Sequence, residues 1–338
     1  MHSVISAIDY YLPEQVLSTR DLAEEFPTWS IEKIDRKTGI DTRHIAAGNE
    51  YVSDLAVAAA SKLFLSGACS AEDIDFLLLC TQSPDYLIPT TACIVQARLG
   101  IPTSAGALDY NLGCSGYIYG LGIAEGLISS KQARSILLLT SDTYSKHLDK
   151  SDVGCRAIFG DGAAATLIVA EDISSATIGP FIYGTDGRGA ENLILRESGM
   201  KRSQYKVLRD GEIKSPEAGS PFLRMDGAKI FSFALDIVPK LVTRLLERAA
   251  VRLEDIDLFV FHQANAYILD ALRESLRIPV DKIQISLAFS GNTVSSTIPI
   301  ALKEASLNGR LEPGHQVMLI GFGVGLSWGA TLVKWSGI

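Results

Sequence analysis

Three residues far apart in this chain have the types and settings needed for nucleophilic chemistry. Cys114 lies among small residues in Asp109-Tyr-Asn-Leu-Gly-Cys114-Ser-Gly-Tyr-Ile-Tyr-Gly120. The preceding Ala105–Asp109 reads as a strand end, and Tyr117 to Ile128 recurs apolar at helical spacing. That puts the cysteine at a helix N-terminus, where unpaired N–H groups and the macrodipole favour a thiolate. Gly113 and Gly116 are expected to let the backbone turn sharply and a substrate approach. Read alone, such a cysteine is more often a small buried side chain.

His262 closes the apolar run in Leu253-Glu-Asp-Ile-Asp-Leu-Phe-Val-Phe-His262, at the strand end where open α/β sheets place ligands. His2, His44, His147 and His315 stand in polar or terminal surroundings and read as surface residues. A lone histidine at a strand end is more often structural. Asn265 follows in His-Gln-Ala-Asn, where a helix begins. Asn292, in Phe289-Ser-Gly-Asn292-Thr-Val-Ser-Ser-Thr, lies in a turn that runs into a helix and by itself reads as a cap or turn former. The loop Gly321-Phe-Gly-Val-Gly-Leu-Ser-Trp-Gly329 lacks the Lys-Ser/Thr of a phosphate loop and suits backbone N–H groups aimed at an oxyanion.

An internal duplication supplies the elements that must position these residues. Ala71-Glu-Asp-Ile-Asp-Phe-Leu-Leu-Leu-Cys80 matches Leu253-Glu-Asp-Ile-Asp-Leu-Phe-Val-Phe-His262, and both read as buried parallel strands. Each follows an amphipathic stretch (52–65 and 231–250) and precedes a helical run ending near Ile-Pro. Arg134-Ser-Ile-Leu-Leu-Leu-Thr parallels His315-Gln-Val-Met-Leu-Ile-Gly, and Gly162-Ala-Ala-Ala-Thr-Leu-Ile-Val parallels Gly329-Ala-Thr-Leu-Val. Two similar α/β halves follow, residues 1–175 and 223–338, with 176–222 expected as an inserted surface segment. Ligand sites favour the interface between such halves.

Composition narrows the class. The 338 residues are 47% hydrophobic and 21% charged with net charge −8, which argues against nucleic acid as the main partner. No apolar stretch approaches a membrane span, and the N-terminus lacks a signal-peptide pattern. The five cysteines lack metal-type spacing, so a cytoplasmic chain with reduced thiols, no metal and no bound cofactor is expected.

Cys114 in Asn-Leu-Gly-Cys-Ser-Gly, His262 in His-Gln-Ala-Asn, Asn292 in Gly-Asn-Thr and the closing Gly-Phe-Gly-x-Gly-Leu-Ser-Trp-Gly together resemble the beta-ketoacyl-acyl carrier protein synthase III family. Lys37-Thr-Gly-Ile40 and Phe159-Gly-Asp-Gly-Ala extend the resemblance over nearly the whole chain. It implies the α/β thiolase fold, a five-layered α-β-α-β-α sandwich. It also implies that Cys114 holds an acyl group, with the Cys114 and Val324 amides forming the oxyanion hole. His262 and Asn292 would stabilise the enolate formed when a malonyl thioester loses carbon dioxide. Acyl-CoA or acyl carrier protein donors and a homodimer are implied, with residues around Tyr86 to Pro89 reaching the partner.

Several positions depart from the family pattern. Trp29 lies nine positions before Thr38, and Val153 replaces the arginine that helps sandwich adenine, with Arg156 as a candidate substitute. Tyr267 replaces the arginine that meets the carrier protein, leaving Arg273 and Arg277 as candidate docking residues. Val324 stands where glycine is usual, and Ile88 where a bulky aromatic precedes the proline of the acyl pocket. Substrate contacts are thus expected from Ile88, Trp29, Lys37, Arg156, Asn265 and Phe322. These departures point to a specialised condensing enzyme, in fatty acid or polyketide-like biosynthesis, admitting longer or branched chains. Acyl transfer to oxygen or nitrogen, condensation without decarboxylation, a papain-like hydrolase and a catalytically idle binding protein remain the competing readings.

Overall fold

The apolar runs after the two Glu-Asp-Ile-Asp motifs become strands in separate sheets, and the repeat is visible in how each sheet is wired. The structure is a computed structural model describing residues 2–173, 177–201, 206–207, 213–214 and 221–337. In chain order the strands of the two large sheets are β1 (His2–Tyr11), β2 (Phe76–Cys80), β3 (Gly106–Tyr110), β4 (Ser135–Asp142) and β5 (Gly162–Glu171), then β6 (Ile178–Thr185), β7 (Leu258–Phe261), β8 (Gln316–Gly323) and β9 (Ser327–Lys334). The first sheet runs β1-β5-β4-β2-β3 and the second β7-β8-β9-β6. β2 pairs parallel with β4, which pairs antiparallel with β5, which pairs antiparallel with β1. β7, β8, β9 and β6 repeat that series of directions. Among the described residues β3 alone lacks a full counterpart, with a single parallel bridge from Ile283 to Phe259 in its place.

Six helices complete the two copies: α1 (Val52–Leu65), α2 (Thr91–Leu99), α3 (Gly116–Ser129), α4 (Gly227–Ala249), α5 (Ala266–Leu276) and α6 (Thr297–Leu307). Three apolar clusters separate five layers. Leu55, Leu63 and Val95 of α1 and α2 pack with Leu77, Leu79, Leu137 and Leu139. Tyr117 and Leu121 of α3, with Ile298 and Leu302 of α6, lie between Leu78 and Leu138 of the first sheet and Val260 and Leu319 of the second. Val238, Leu245 and Leu269 of α4 and α5 cover Phe259, Phe261, Met318 and Ile320. Successive residues of one strand therefore enter opposite layers, which is why these strands read as continuous apolar runs rather than alternating ones. Each fully buried leucine contributes about 1.5–3 kcal/mol of transfer free energy. The order α-β-α-β-α is the one implied by the sequence resemblance.

The expected boundary at 176–222 differs from the structure. Ile178–Thr185 is β6, the edge strand of the second sheet and the counterpart of β1. Gly179, Pro180 and Gly184 hide its periodicity, and the proline is tolerated because an edge strand need not donate from every N–H. Residues 176, 202–205, 208–212 and 215–220 of the expected segment lie outside the described residues, and of the rest Leu193 is not surface. Leu193–Ile194 pairs with Arg224–Met225, and Leu193 and Leu223 pack in the same cluster as Cys114.

Candidate active site

Cys114 follows β3 and precedes α3, and is 6% exposed. The N–H groups of Cys114 itself and of Val324 act on its sulfur in the sense that favours the thiolate. Val324 lies in the turn after β8, and the chain can pass this close because Gly323 has no side chain. A Cβ there would lie 2.9 Å from Sγ. Gly113 and Gly116 also serve close approach rather than turning, since neither has positive φ. Burial opposes the thiolate expected from the helix N-terminus. Burial, with a smaller contribution from the Asp142 carboxyl, pushes the Cys114 thiol up to about 12, outweighing the two amides.

His262 directly follows β7 and is buried, and this burial lowers its imidazole to about 3, so the ring is neutral. Nδ1 lies 2.7 Å from the Thr297 hydroxyl, and the Phe322 ring meets the imidazole edge-on at 5.7 Å. Asn292 lies in the loop before α6. The Val294 N–H donates to Asn292 Oδ1 at 2.9 Å, which fixes the amide so that Nδ2 faces His262 Nε2 at 3.5 Å and the Ala264 carbonyl at 3.3 Å. Val294 holds this geometry with φ of 57°, a left-handed conformation costly for a β-branched residue. Its carbonyl also accepts from the Thr297 hydroxyl at 3.1 Å.

Each half anchors the other's loop. Ser295 and Ser296, just after Asn292, hydrogen-bond Asp142 and Thr140 at the end of β4. Asn292 itself exchanges backbone hydrogen bonds with Ile158 and Gly160. On the cysteine side, the Ser115 and Ser327 hydroxyls meet at 2.6 Å. Thr297, Val294 and Ser295 were missed in sequence. Their only signal there was a run of small polar residues after Gly-Asn.

The other expected contacts fare differently. Phe322 is 1% exposed and supports His262 rather than facing open space. Asn265 caps α5, its Oδ1 accepting from the Ile268 N–H at 2.8 Å. Arg156 is held by both Glu25 carboxylate oxygens and the Lys150 carbonyl, with its guanidinium over Phe26 rather than Trp29. The Trp29 face carries Lys33 at 4.4 Å and Lys37 at 5.1 Å. Arg273 is bound by Asp270 and Glu274, whereas Arg277, exposed at the end of α5, has no ion pair among the described residues. Ile88 is 89% exposed and lies outside the cavity beside Val324. His147, expected at the surface, is half-buried and lines that cavity. Among the described residues no group of His, Cys, Asp or Glu could hold a metal, and no helix is long and apolar enough to cross a membrane.

A duplicated five-layer sandwich is the scaffold of the thiolase-fold acyl-transferring enzymes. The comparisons with known proteins narrow the class. Residues 108–187 match the model of 3-oxoacyl-[acyl-carrier-protein] synthase III, and 246–335 match that of its C-terminal part. The Clostridium perfringens beta-ketoacyl-[acyl-carrier-protein] synthase III is 37% identical over 96% of both chains. A crystal structure of a 3-oxoacyl-(acyl-carrier-protein) synthase III superposes with a TM-score of 0.94 at 48% identity, covering 99% of this chain and 100% of that one. The Pseudomonas aeruginosa enzyme gives 0.88 at 35% identity, covering 100% and 99%. The chain belongs to the beta-ketoacyl-[acyl-carrier-protein] synthase III family and is an acyl-transferring condensing enzyme.

Proposed function

We propose that Cys114 takes an acyl group from a coenzyme A or carrier-protein thioester, and that the acyl-enzyme is then extended by decarboxylative condensation with malonyl-acyl carrier protein. Sγ attacks the thioester carbon, the carbonyl oxygen gathers charge against the Cys114 and Val324 amides, and the donor thiol leaves with the cysteine proton. In the second stage the bond between the malonyl α-carbon and its carboxylate breaks. Carbon dioxide leaves and the electron pair passes into an enolate. The α-carbon attacks the acyl-Cys carbonyl, and Sγ departs and regains a proton, leaving a 3-oxoacyl thioester.

The observation that carries this reading is the fixed amide of Asn292. With Oδ1 held by the Val294 N–H, only Nδ2 is turned toward His262, so this position can donate to an enolate oxygen but cannot remove a carbon-bound proton. Decarboxylation makes the carbanion without a base, which suits such a pair. Neutral His262 supplies the second donor in the tautomer that carries its hydrogen on Nε2, with the Thr297 hydroxyl turned from the Val294 carbonyl to donate to Nδ1. The same neutrality speaks against a papain-like hydrolase, whose cysteine and histidine form an ion pair.

Trp29, Lys33 and Lys37 offer an aromatic face with positive charge for a coenzyme A or phosphopantetheine donor, and Arg277 a contact for an acidic carrier protein. A homodimer is supported by the exposed Tyr86, Leu87 and Ile88 of one loop. A cytoplasmic location and a specialised pathway complete the reading, the latter supported by Val153, Tyr267 and Val324 at family positions. The test is to incubate the protein with acyl-CoA and acyl carrier protein donors, detect acyl-Cys114 by mass, and chase with malonyl carrier protein. Carbon dioxide with a 3-oxoacyl product is expected. Acyl transfer without carbon dioxide would overturn the condensation step.

A further inference from the structure

A cavity of about 690 Å³ opens beside Val324, the residue whose amide reaches Cys114 Sγ. A pocket for a plain alkyl chain needs aliphatic side chains alone. Here Leu193, Leu223 and Val324, which pack in the Cys114 cluster, share the lining with Gln82, Asn111, Tyr144, Ser83 and His147. Gln82 is close to the nucleophile. A Cβ on Gly113 would lie 2.6 Å from both Gln82 Oε1 and a Val324 methyl. Tyr144 is 4% exposed and packs in the same cluster as Cys114.

These groups form a chain. The Tyr144 hydroxyl donates to Gln82 Oε1 at 2.5 Å, and Gln82 Nε2 donates to Asn111 Oδ1 at 3.1 Å. Ser83 Oγ and His147 Nε2 lie 3.1 Å apart. The chain fixes the orientation of both amides but does not exhaust them. One hydrogen on Gln82 Nε2 and both on Asn111 Nδ2 have no acceptor among the described residues. The Lys146 ammonium on the cavity wall is held by the Ala47 and Gly48 carbonyls. The free capacity of the two amides is neutral and mainly donating. An alkyl chain would cover those hydrogens without pairing them, and a carboxylate would lose its hydration in a cavity whose wall already holds the Asp85 and Glu197 carboxylates.

We propose that the acyl group carried by Cys114 bears a neutral oxygen, a hydroxyl or keto group within about four carbons of the thioester, received by Gln82 and Asn111, with Tyr144 fixing the Gln82 amide. This deepens the reading that Cys114 is acylated and rests on it. A site built around such hydrogen bonds discriminates strongly against an analogue lacking the polar group.

The test measures the rate of Cys114 acylation by intact mass with butyryl-, 3-hydroxybutyryl-, 4-hydroxybutyryl-, acetoacetyl- and succinyl-CoA. At least one oxygenated neutral donor is expected to load 10-fold or more faster than butyryl-CoA. Tyr144→Phe, which keeps the ring, and Gln82→Leu are each expected to shrink that ratio, to below twofold in the double variant. Fastest loading by butyryl- or succinyl-CoA, or a ratio unchanged in both single variants, would overturn the proposal while leaving acylation of Cys114 intact. No adduct from any donor would overturn both.

Discussion

β2 and β7 end at matching places in the two halves, yet one is followed through to Cys80 and the other delivers His262. The Cys80 thiol is buried, donates to the Leu112 carbonyl at 3.0 Å, and is pushed up by burial. His262 is equally buried, but one nitrogen meets Thr297 and the other faces Asn292. The turns before the central helices diverge likewise: Cys114 precedes α3 by two residues, Asn292 precedes α6 by five. Duplication supplied a symmetric frame. Chemistry was then divided, with the nucleophile in the first half and the hydrogen-bond donors in the second.

That division predicts unequal responses to mutation and pH. Cys114→Ala should abolish acyl adduct formation altogether, as read by intact mass; an adduct that survives would move the nucleophile elsewhere. Next in size is the pH dependence of alkylation. Because burial and Asp142 raise the Cys114 thiol to about 12, the protonated form dominates below that value. Iodoacetamide should therefore modify the free enzyme about tenfold faster per pH unit from 6 to 9, with no plateau. A plateau in that range would mean a stabilised thiolate and a Cys–His ion pair.

Thr297→Val keeps the shape of α6 but removes the partner of His262 Nδ1. Losing one buried hydrogen bond costs about 1–3 kcal/mol, a roughly 5- to 150-fold fall in condensation, with acylation changing much less. Equal losses in both stages would make Thr297 merely structural. The smallest effect belongs to Cys80→Ser, which retains a donor toward Leu112. Loading and condensation should stay within twofold, with at most about 1 kcal/mol of stability lost in thermal unfolding.

The sequence made the duplicated frame legible because strands buried on both faces leave long apolar runs, and Glu-Asp-Ile-Asp marks both copies. Cys114, His262 and Asn292, each more readily structural when read alone, became legible together, through the motifs that resemble the family. What escaped depends on side-chain direction or on distant partners. Phe322 turns inward against His262, Arg156 finds Glu25 across 131 residues, and Asn265 spends its oxygen on a helix cap. β6 was hidden because glycine and proline interrupt an edge strand. The polar lining from Gln82 and Tyr144 joins residues 62 positions apart, and no local pattern announces such a pair.

The most direct test separates the two stages in Asn292→Ala. Losing one fixed donor to a developing oxyanion typically costs 10²–10³ in rate. The account predicts that acyl-Cys114 still forms at near the normal rate, while release of carbon dioxide from malonyl-acyl carrier protein falls by about that factor. Normal carbon dioxide release from the variant, or loss of acylation instead, would contradict the assignment of the enolate-stabilising pair to the second half.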